Sequence, residues 1–242
     1  MPANKKTIVA QLSDIHVGDH YFRPELLEAT IAEINELNPD VVIVGGDLTT
    51  LGLKVEYETS RAYIKTITCP RVVVIPGNHD SRNVGHVHFE KIFGSRFQVL
   101  RHNGIVFVCI DSSMLDNKDG RVGRDRYTWI REHFEAPADF RVLVMHHHLL
   151  PVPGTGRERN IVLDAGDVLK MLFELDVDMV LSGHKHVPHL WQFGRMTLAN
   201  AGTACSLRLR GDAEPCYNIV EIENGKAAVY KKRVGEIKER MG

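Results

Sequence analysis

An α/β layered domain is predicted by three features of the chain: short Val- and Ile-rich runs bounded by turn residues, helix-period segments between them, and a switch to successive strands after Gly183. The apolar runs cover residues 7–12, 41–44, 72–75, 105–110, 142–145 and 179–181. Each is too short for a helix and reads as a buried strand. Between them, residues 24–37 form the clearest helix, with Pro24 suited to the first helical position and Leu27, Ile31 and Ile34 on one face. Residues 56–67, 124–134 and 165–175 carry similar patterns. Beyond Gly183, residues 189–193, 196–199, 217–222 and 227–231 read as strands, with Asn224-Gly225 as a hairpin turn between the last two.

At 242 residues the chain is long enough for one well-buried core, and without a linker or internal repeat it reads as a single domain over residues 1–242. Thirty Lys plus Arg against 31 Asp plus Glu leave no overall field to attract nucleic acid or an anionic membrane, so any recognition of an anion has to be local. No apolar stretch approaches the roughly 18 residues that a spanning helix needs. The start, Met1 to Lys6, lacks the long apolar core of a secretory signal, and the expected compartment is the cytoplasm. Cys69, Cys109, Cys205 and Cys216 show no C-x-x-C spacing and are expected to be reduced, structural thiols.

Five short runs rich in Asp, His and Asn each follow a predicted strand: Asp14-x-His16, Gly45-Gly46-Asp47, Gly77-Asn78-His79-Asp80, His146-His147-His148 and Gly183-His184-Lys185-His186. Singly, the first two are ordinary turns. Their shared position gives them weight, because open α/β sheets place ligand sites in loops beyond the carboxyl ends of strands. In the last run, alternate histidines face one cavity if the backbone is extended. Imidazoles with carboxylate and amide oxygens, without thiolate, form a set better suited to Mn, Fe or Zn than to Mg. A second string, Gly85-His86-Val87-His88, has no strand before it and is expected at most on the rim. Arg210-Gly211-Asp212 reads as a charged turn.

In order and wording, these runs resemble the calcineurin-like metallophosphoesterase superfamily over residues 14 to 186. The His-His run followed by Pro, the Gly120-x-x-Gly123 and Trp129-Ile130 stretch, and the overall length are most similar to the bacterial class III cyclic-nucleotide phosphodiesterase branch. The resemblance implies a four-layer fold, two face-to-face β-sheets flanked by helices. It also implies two transition-metal ions, one held by Asp14, His16 and His186, the other by Asn78, His146 and His184, with Asp47 shared. His146 is the first His after its strand, as the family pattern requires, and the adjacent His147 is the alternative. The family continues His-His-Pro-Pro where this chain has His148-Leu149-Leu150-Pro151 after His147, a departure that bears on the rim more than on the ligands.

Two ions roughly 3.5–4 Å apart would polarise a bridging water, bind phosphoryl oxygens and neutralise charge in an in-line displacement. Within the resemblance, Asn78 offers its amide NH₂ to a phosphate oxygen, and His79 protonates the leaving group, with Asp80 or another carboxylate orienting its ring and raising its pKa. His147 and the basic loop arginines Arg157 and Arg159 are candidate substrate contacts. The expected substrate is a small soluble phosphodiester, 3′,5′-cyclic nucleotides in particular. A phosphomonoesterase or a nuclease of the same superfamily is the enzyme alternative, although 7% aromatic residues and balanced charge do not advertise a nucleic-acid groove. A non-catalytic scaffold should have lost ligands, and none of the seven is missing.

Overall fold

A computed structural model describes residues 6–242. Residues 1–5, on which the expectation about an export signal partly rests, lie outside the described residues. The chain runs β1 (Thr7–Leu12), α1 (Pro24–Leu37), β2 (Val41–Val44), α2 (Lys54–Ile64), β3 (Val72–Val74), α3 (Gly85–Phe93), β4 (Gln98–His102), β5 (Ile105–Cys109) and α4 (Arg124–Glu135). It continues β6 (Phe140–Val144), α5 (Ala165–Glu174), β7 (Met179–Ser182), β8 (His189–Phe193), β9 (Met196–Asn200), β10 (Tyr217–Glu223), β11 (Lys226–Lys232) and β12 (Glu239–Arg240).

Two six-stranded sheets result, in the orders β12-β11-β10-β1-β2-β3 and β4-β5-β6-β7-β9-β8. Both are mixed. β1, β2 and β3 are parallel in the first, with β10 antiparallel to β1, and β5, β6, β7 and β9 are parallel in the second, with antiparallel strands at both edges. Alternation along each strand explains why the central runs are apolar throughout. Val9, Val41, Ile43 and Val73 meet Phe107, Val142, Val144 and Leu181 between the sheets, whereas Ala10, Val42 and Val44 face Leu27, Ile31 and Tyr57 of α1 and α2. Val106, Val108 and Leu143 turn the other way, against Ile130, Phe134, Val168 and Leu172 of α4 and α5. Each sheet is thus buried on both faces, which yields four layers, helix–sheet–sheet–helix.

Three elements escape the periodicity argument. β4 is an edge strand whose residues are only partly buried, so its pattern is weak. β12 spans two exposed residues. α3 begins at Gly85 and takes in the Gly85-His86-Val87-His88 string as its first turn, with Phe89 driven into the core beside Tyr57. That string does not line the cavity at the strand ends. α2 starts two residues earlier than expected because the Glu56 carboxylate accepts hydrogen bonds from the Leu51 and Leu53 amides, at 2.9 and 3.1 Å.

A buried polar seam crosses the two sheets beneath the strand ends. Gln11 donates from Nε2 to the Ser182 carbonyl at 3.0 Å, and Asn218 donates to Gln11 Oε1 at 3.1 Å. These contacts fix the register of β1 against β7, the two strands whose following loops carry Asp14 and His184.

Phe107 is fully buried at the centre of the inter-sheet core. Phe107→Ala is expected to cost about 3–5 kcal/mol through lost burial and a residual cavity. Urea unfolding should show a lower midpoint with an unchanged slope.

Candidate metal centre

The loops after β1, β2, β3, β6 and β7 converge at one end of the sandwich. Asp14, His16, Asp47, His184 and His186 all adopt the left-handed region, with φ of 57°, 55°, 52°, 72° and 58°. Such φ values are rare outside glycine and are held only where surrounding contacts over-determine them. Here the contacts are backbone bonds between loops: Asp14 and His16 amides donate to the Gly46 and Asp47 carbonyls at 3.0 and 2.9 Å, and the Gly183 amide donates to the His146 carbonyl at 2.9 Å. Gly46 and Gly183 permit the close approach. A Cβ on Gly46 would stand 2.7 Å from His146 Nδ1, and one on Gly183 would stand 2.0 Å from Ser13 Oγ. The 183–186 run is therefore not extended, contrary to the alternation argument. The Lys185 amide folds back onto the Gly183 carbonyl at 2.8 Å, and the two left-handed histidines are turned inward.

Nitrogen and oxygen ligand atoms gather in this pocket. Asp14, His16 and His186 place ligand atoms within 4.8 Å of one another, and so do Asp47, His146 and His184. His186 Nε2 lies 3.2 Å from Asp14 Oδ1 and 2.9 Å from His16 Nε2. On the other side, His146 Nε2 lies 3.2 Å from Asp47 Oδ2, and His184 Nδ1 lies 2.9 Å from Asn78 Oδ1. Asp47 Oδ2 also reaches His16 Nε2, at 3.7 Å, so this carboxylate touches both groups.

Backbone carbonyls set the tautomers. His146 Nδ1 donates to the Gly45 carbonyl at 2.8 Å and His186 Nδ1 to the Arg208 carbonyl at 2.6 Å, which leaves each Nε2 as a lone pair aimed at the centre. Asp14 Oδ1 and His146 Nε2 are buried with no hydrogen-bond partner. Buried nitrogen and oxygen ligand atoms that converge in this way fit metal cations.

Protons and cations compete for this pocket. Burial works against a charged His146, but the Asp47 carboxylate outweighs it and pushes the group up to about 10. Burial likewise opposes, and Asp14 overcomes, at His186, which is raised. By contrast, burial pushes His16 down to about 3 and His184 well below its usual range.

His79 stands at the mouth, edge-on to His16 with ring centroids 4.7 Å apart. Its Nδ1 donates to the Thr50 carbonyl at 2.8 Å, and its Nε2 accepts from Arg82 Nη2 at 3.2 Å. His16, Asp47 and His79 also lie within ligand distance of one another, but both nitrogens of His79 are already engaged. Asp80 does not orient this ring. It accepts from the amides of Leu48, Thr49 and Gly77 and from the Thr49 hydroxyl, at 2.7–3.1 Å, and so ties the loops after β2 and β3 together. Burial lowers the His79 pKa, so the carboxylate-raised imidazole expected from the motif is replaced by a carbonyl-oriented, neutral one.

The cavity over these atoms, about 310 Å³, is lined at its rim by Thr50, Arg82, Lys118, Asn160, Arg208 and Arg210. None of these was singled out as a site residue from sequence. The alternation Leu207-Arg208-Leu209-Arg210 was the available signal for the last two. Three expected contacts are placed elsewhere. His147 is fully buried, with Nδ1 2.9 Å from Ser112 Oγ and Nε2 3.2 Å from the Lys118 carbonyl, and Arg157 and Arg159 are exposed and outside the cavity lining.

The sequence profile described as Calcineurin-like phosphoesterase matches residues 8–188. The chain belongs to the calcineurin-like phosphoesterase family. It is 28% identical over 231 residues to a protein from Arcobacter nitrofigilis named "Probable glycerophosphodiester phosphodiesterase GpdQ", covering 86% of this chain and 83% of that one. It is 26% identical over 163 residues to a "Probable cyclic nucleotide phosphodiesterase" of Synechococcus, covering 65% of this chain and 62% of that one. These relatives bear out the resemblance to the bacterial class III branch. Among solved structures, a dimetal phosphatase from Danio rerio superposes with a TM-score of 0.76 over 97% of this chain and 98% of that one, at 11% identity, which establishes the shared fold. This calcineurin-like phosphoesterase is thus a hydrolytic phosphoesterase. Among its described residues no helix is long and apolar enough to cross a membrane.

Because a cation at this site must displace the proton that Asp47 recruits to His146, metal affinity should rise with pH. Below a pKa of about 10 each pH unit should tighten binding at that position by about tenfold, so about a hundredfold between pH 6 and pH 8. Competition with a chelator at the two pH values, alongside proton release in weak buffer, measures this. An affinity independent of pH would contradict it.

Proposed function

We propose that this calcineurin-like phosphoesterase is a dinuclear metal-dependent phosphodiesterase of small soluble diesters. Asp14, His16 and His186 hold one ion, Asn78, His146 and His184 the other, and Asp47 serves both. The observation that carries this reading is the pair of acceptor clusters meeting at Asp47, whose Oδ2 lies within 3.7 Å of nitrogens from both. When bound, two such ions supply Lewis acidity and an activated water for in-line attack on phosphorus. The chain's own residues do the rest. Asn78 turns Oδ1 toward His184, which leaves its NH₂ to donate to a phosphoryl oxygen. His79, held through Nδ1 by the Thr50 carbonyl, presents Nε2 to the cavity; protonated there, with Arg82 Nη2 moved aside, it would pass the Nε2 proton to a departing alkoxide and be left as the neutral imidazole seen in this structure.

The branch resemblance makes 3′,5′-cyclic nucleotides the first substrate to test. The rim supports a second reading, a glycerophosphodiester-like substrate with hydrophilic arms: among the described residues it offers, besides imidazoles, no aromatic ring to stack on a base, and Leu209 is the one apolar residue lining it. We place the activity in the cytoplasm, in keeping with four cysteines that are all free and buried.

The diesterase reading predicts a higher kcat/KM on bis-p-nitrophenyl phosphate than on p-nitrophenyl phosphate, in protein shown by elemental analysis to hold two metal ions per chain. A clear preference for the monoester would replace it with a phosphatase.

For His79, the leaving group decides. A ribose or alkyl alkoxide departs only with a proton, whereas p-nitrophenolate is stable without one. His79→Ala should slow an alkyl diester by roughly 10²–10⁴, and a nitrophenyl diester far less, at unchanged metal content. An equal loss on both would mean that His79 positions phosphate and does not donate.

A further inference from the structure

The rim of the metal-centre cavity carries more positive charge than a simple diester requires. Arg82, Lys118, Arg208 and Arg210 all line it, and among the described residues the only carboxylate that does so is Asp47, which is committed to the acceptor clusters. These cations differ in how free they are. Arg82 donates to the Thr50 carbonyl and to His79, both at 3.2 Å. Arg208 reaches Asp19 only at 3.7 Å, with half of its side chain exposed. No side-chain partner is found among the described residues for Arg210 or Lys118.

A diester carries one negative charge, on the phosphoryl oxygens that lie against the acceptor clusters and Asn78. Four further cations around that charge repel one another unless another anion sits among them. Arg208 is the best anchored relative to the chemistry. Its carbonyl accepts the His186 Nδ1 proton at 2.6 Å, so its Cα holds a fixed offset from the metal-facing Nε2 of the same ring. Arg210 lies two residues on and faces both this cavity and a neighbouring one of about 350 Å³, where Lys231 and Arg233 stand opposite Asp212 and Glu214. A substrate arm that leaves the phosphorus on the His186 side therefore passes Arg208 and Arg210 in turn.

We propose that the substrate carries a second anionic group, a carboxylate or phosphate on one ester arm, and that Arg208 and Arg210 bind it. The proposal rests on the diesterase reading and narrows its substrate class. Recognition by half-exposed guanidinium groups is a matter of affinity and steering, so it should act on KM and weaken with salt.

The test uses the metal-loaded protein and three diesters that share a p-nitrophenyl leaving group and differ in the second arm: methyl, 2-carboxyethyl or choline. Expected values of kcat/KM rank carboxyethyl above methyl above choline. The first step should be about tenfold, the effect of one or two half-exposed ion pairs. It should lie mainly in KM and shrink as salt is raised. In the double variant Arg208→Gln/Arg210→Gln the carboxyethyl-to-methyl ratio should fall close to one. Calorimetry with the two product monoesters, 2-carboxyethyl phosphate and methyl phosphate, should show the same order in Kd without turnover. Equal kcat/KM for the carboxyethyl and methyl diesters, or a preference that survives in the double variant, would overturn the proposal. Turnover of none of the three would sink the diesterase reading and this proposal with it, whereas unranked turnover of all three would sink this proposal alone.

Discussion

The rest of the site depends on one constraint: ligand atoms from both sheets must be held a few ångströms apart, around Asp47. Oxygen and nitrogen acceptors at 2.9–3.9 Å repel unless a cation or a proton intervenes. Such an array does not assemble by its own attraction. It has to be imposed by backbone whose own bonds are strong enough to hold the left-handed residues in place. The bonds from the β1 loop to the β2 loop, and from the β7 loop to the end of β6, supply that hold.

Asp80 shows how the motif serves this constraint in a way its residue type alone does not announce. Burial and the neighbouring Asp47 carboxylate raise it to about 7, against its bonds from the Gly77, Thr49 and Leu48 backbone, which favour the ionised form. Those bonds fasten Leu48 and Thr49, which directly follow Asp47, to the loop that carries Asn78. Since Asp47 belongs to one loop and Asn78 to the other, Asp80 helps to hold Asn78 beside the shared carboxylate. Asp80, one candidate for orienting His79, is spent on the backbone instead, and the ring takes its orientation from the Thr50 carbonyl.

Much of the fold was legible because both sheets are buried on both faces, which turns each central strand into a continuous apolar run with a polar loop at its end. The same geometry explains what was missed. β4 lies at an edge, where burial is partial, and α3 opens on a histidine string that looks like a ligand motif but packs through Phe89. At the site, residues that stand at strand ends were readable from the five runs. Those that enter from the 116–120, 158–160 and 203–211 segments were not, because nothing local to Lys118, Asn160 or Arg208 indicates which strand end they will cover.

The loop after Pro151 illustrates how a buried charge redirects such a segment. Lys185 lies between His184 and His186 and is almost fully buried, a position that an ammonium group tolerates only when paired. Glu158 accepts from it at 3.0 Å and from His148 Nε2 at 2.9 Å, and the Arg159 carbonyl accepts its remaining reach at 2.8 Å. His148 occupies the place where the family pattern has Pro, so the departure from that pattern supplies one of the groups that hold Glu158. Tying the loop down by the Glu158 side chain and the Arg159 carbonyl leaves Asn160 in the cavity wall, anchored to Asp119 at 2.8 Å, and leaves the side chains of Arg157 and Arg159 in solvent. The basic residues that line the cavity are instead Arg82, Lys118, Arg208 and Arg210.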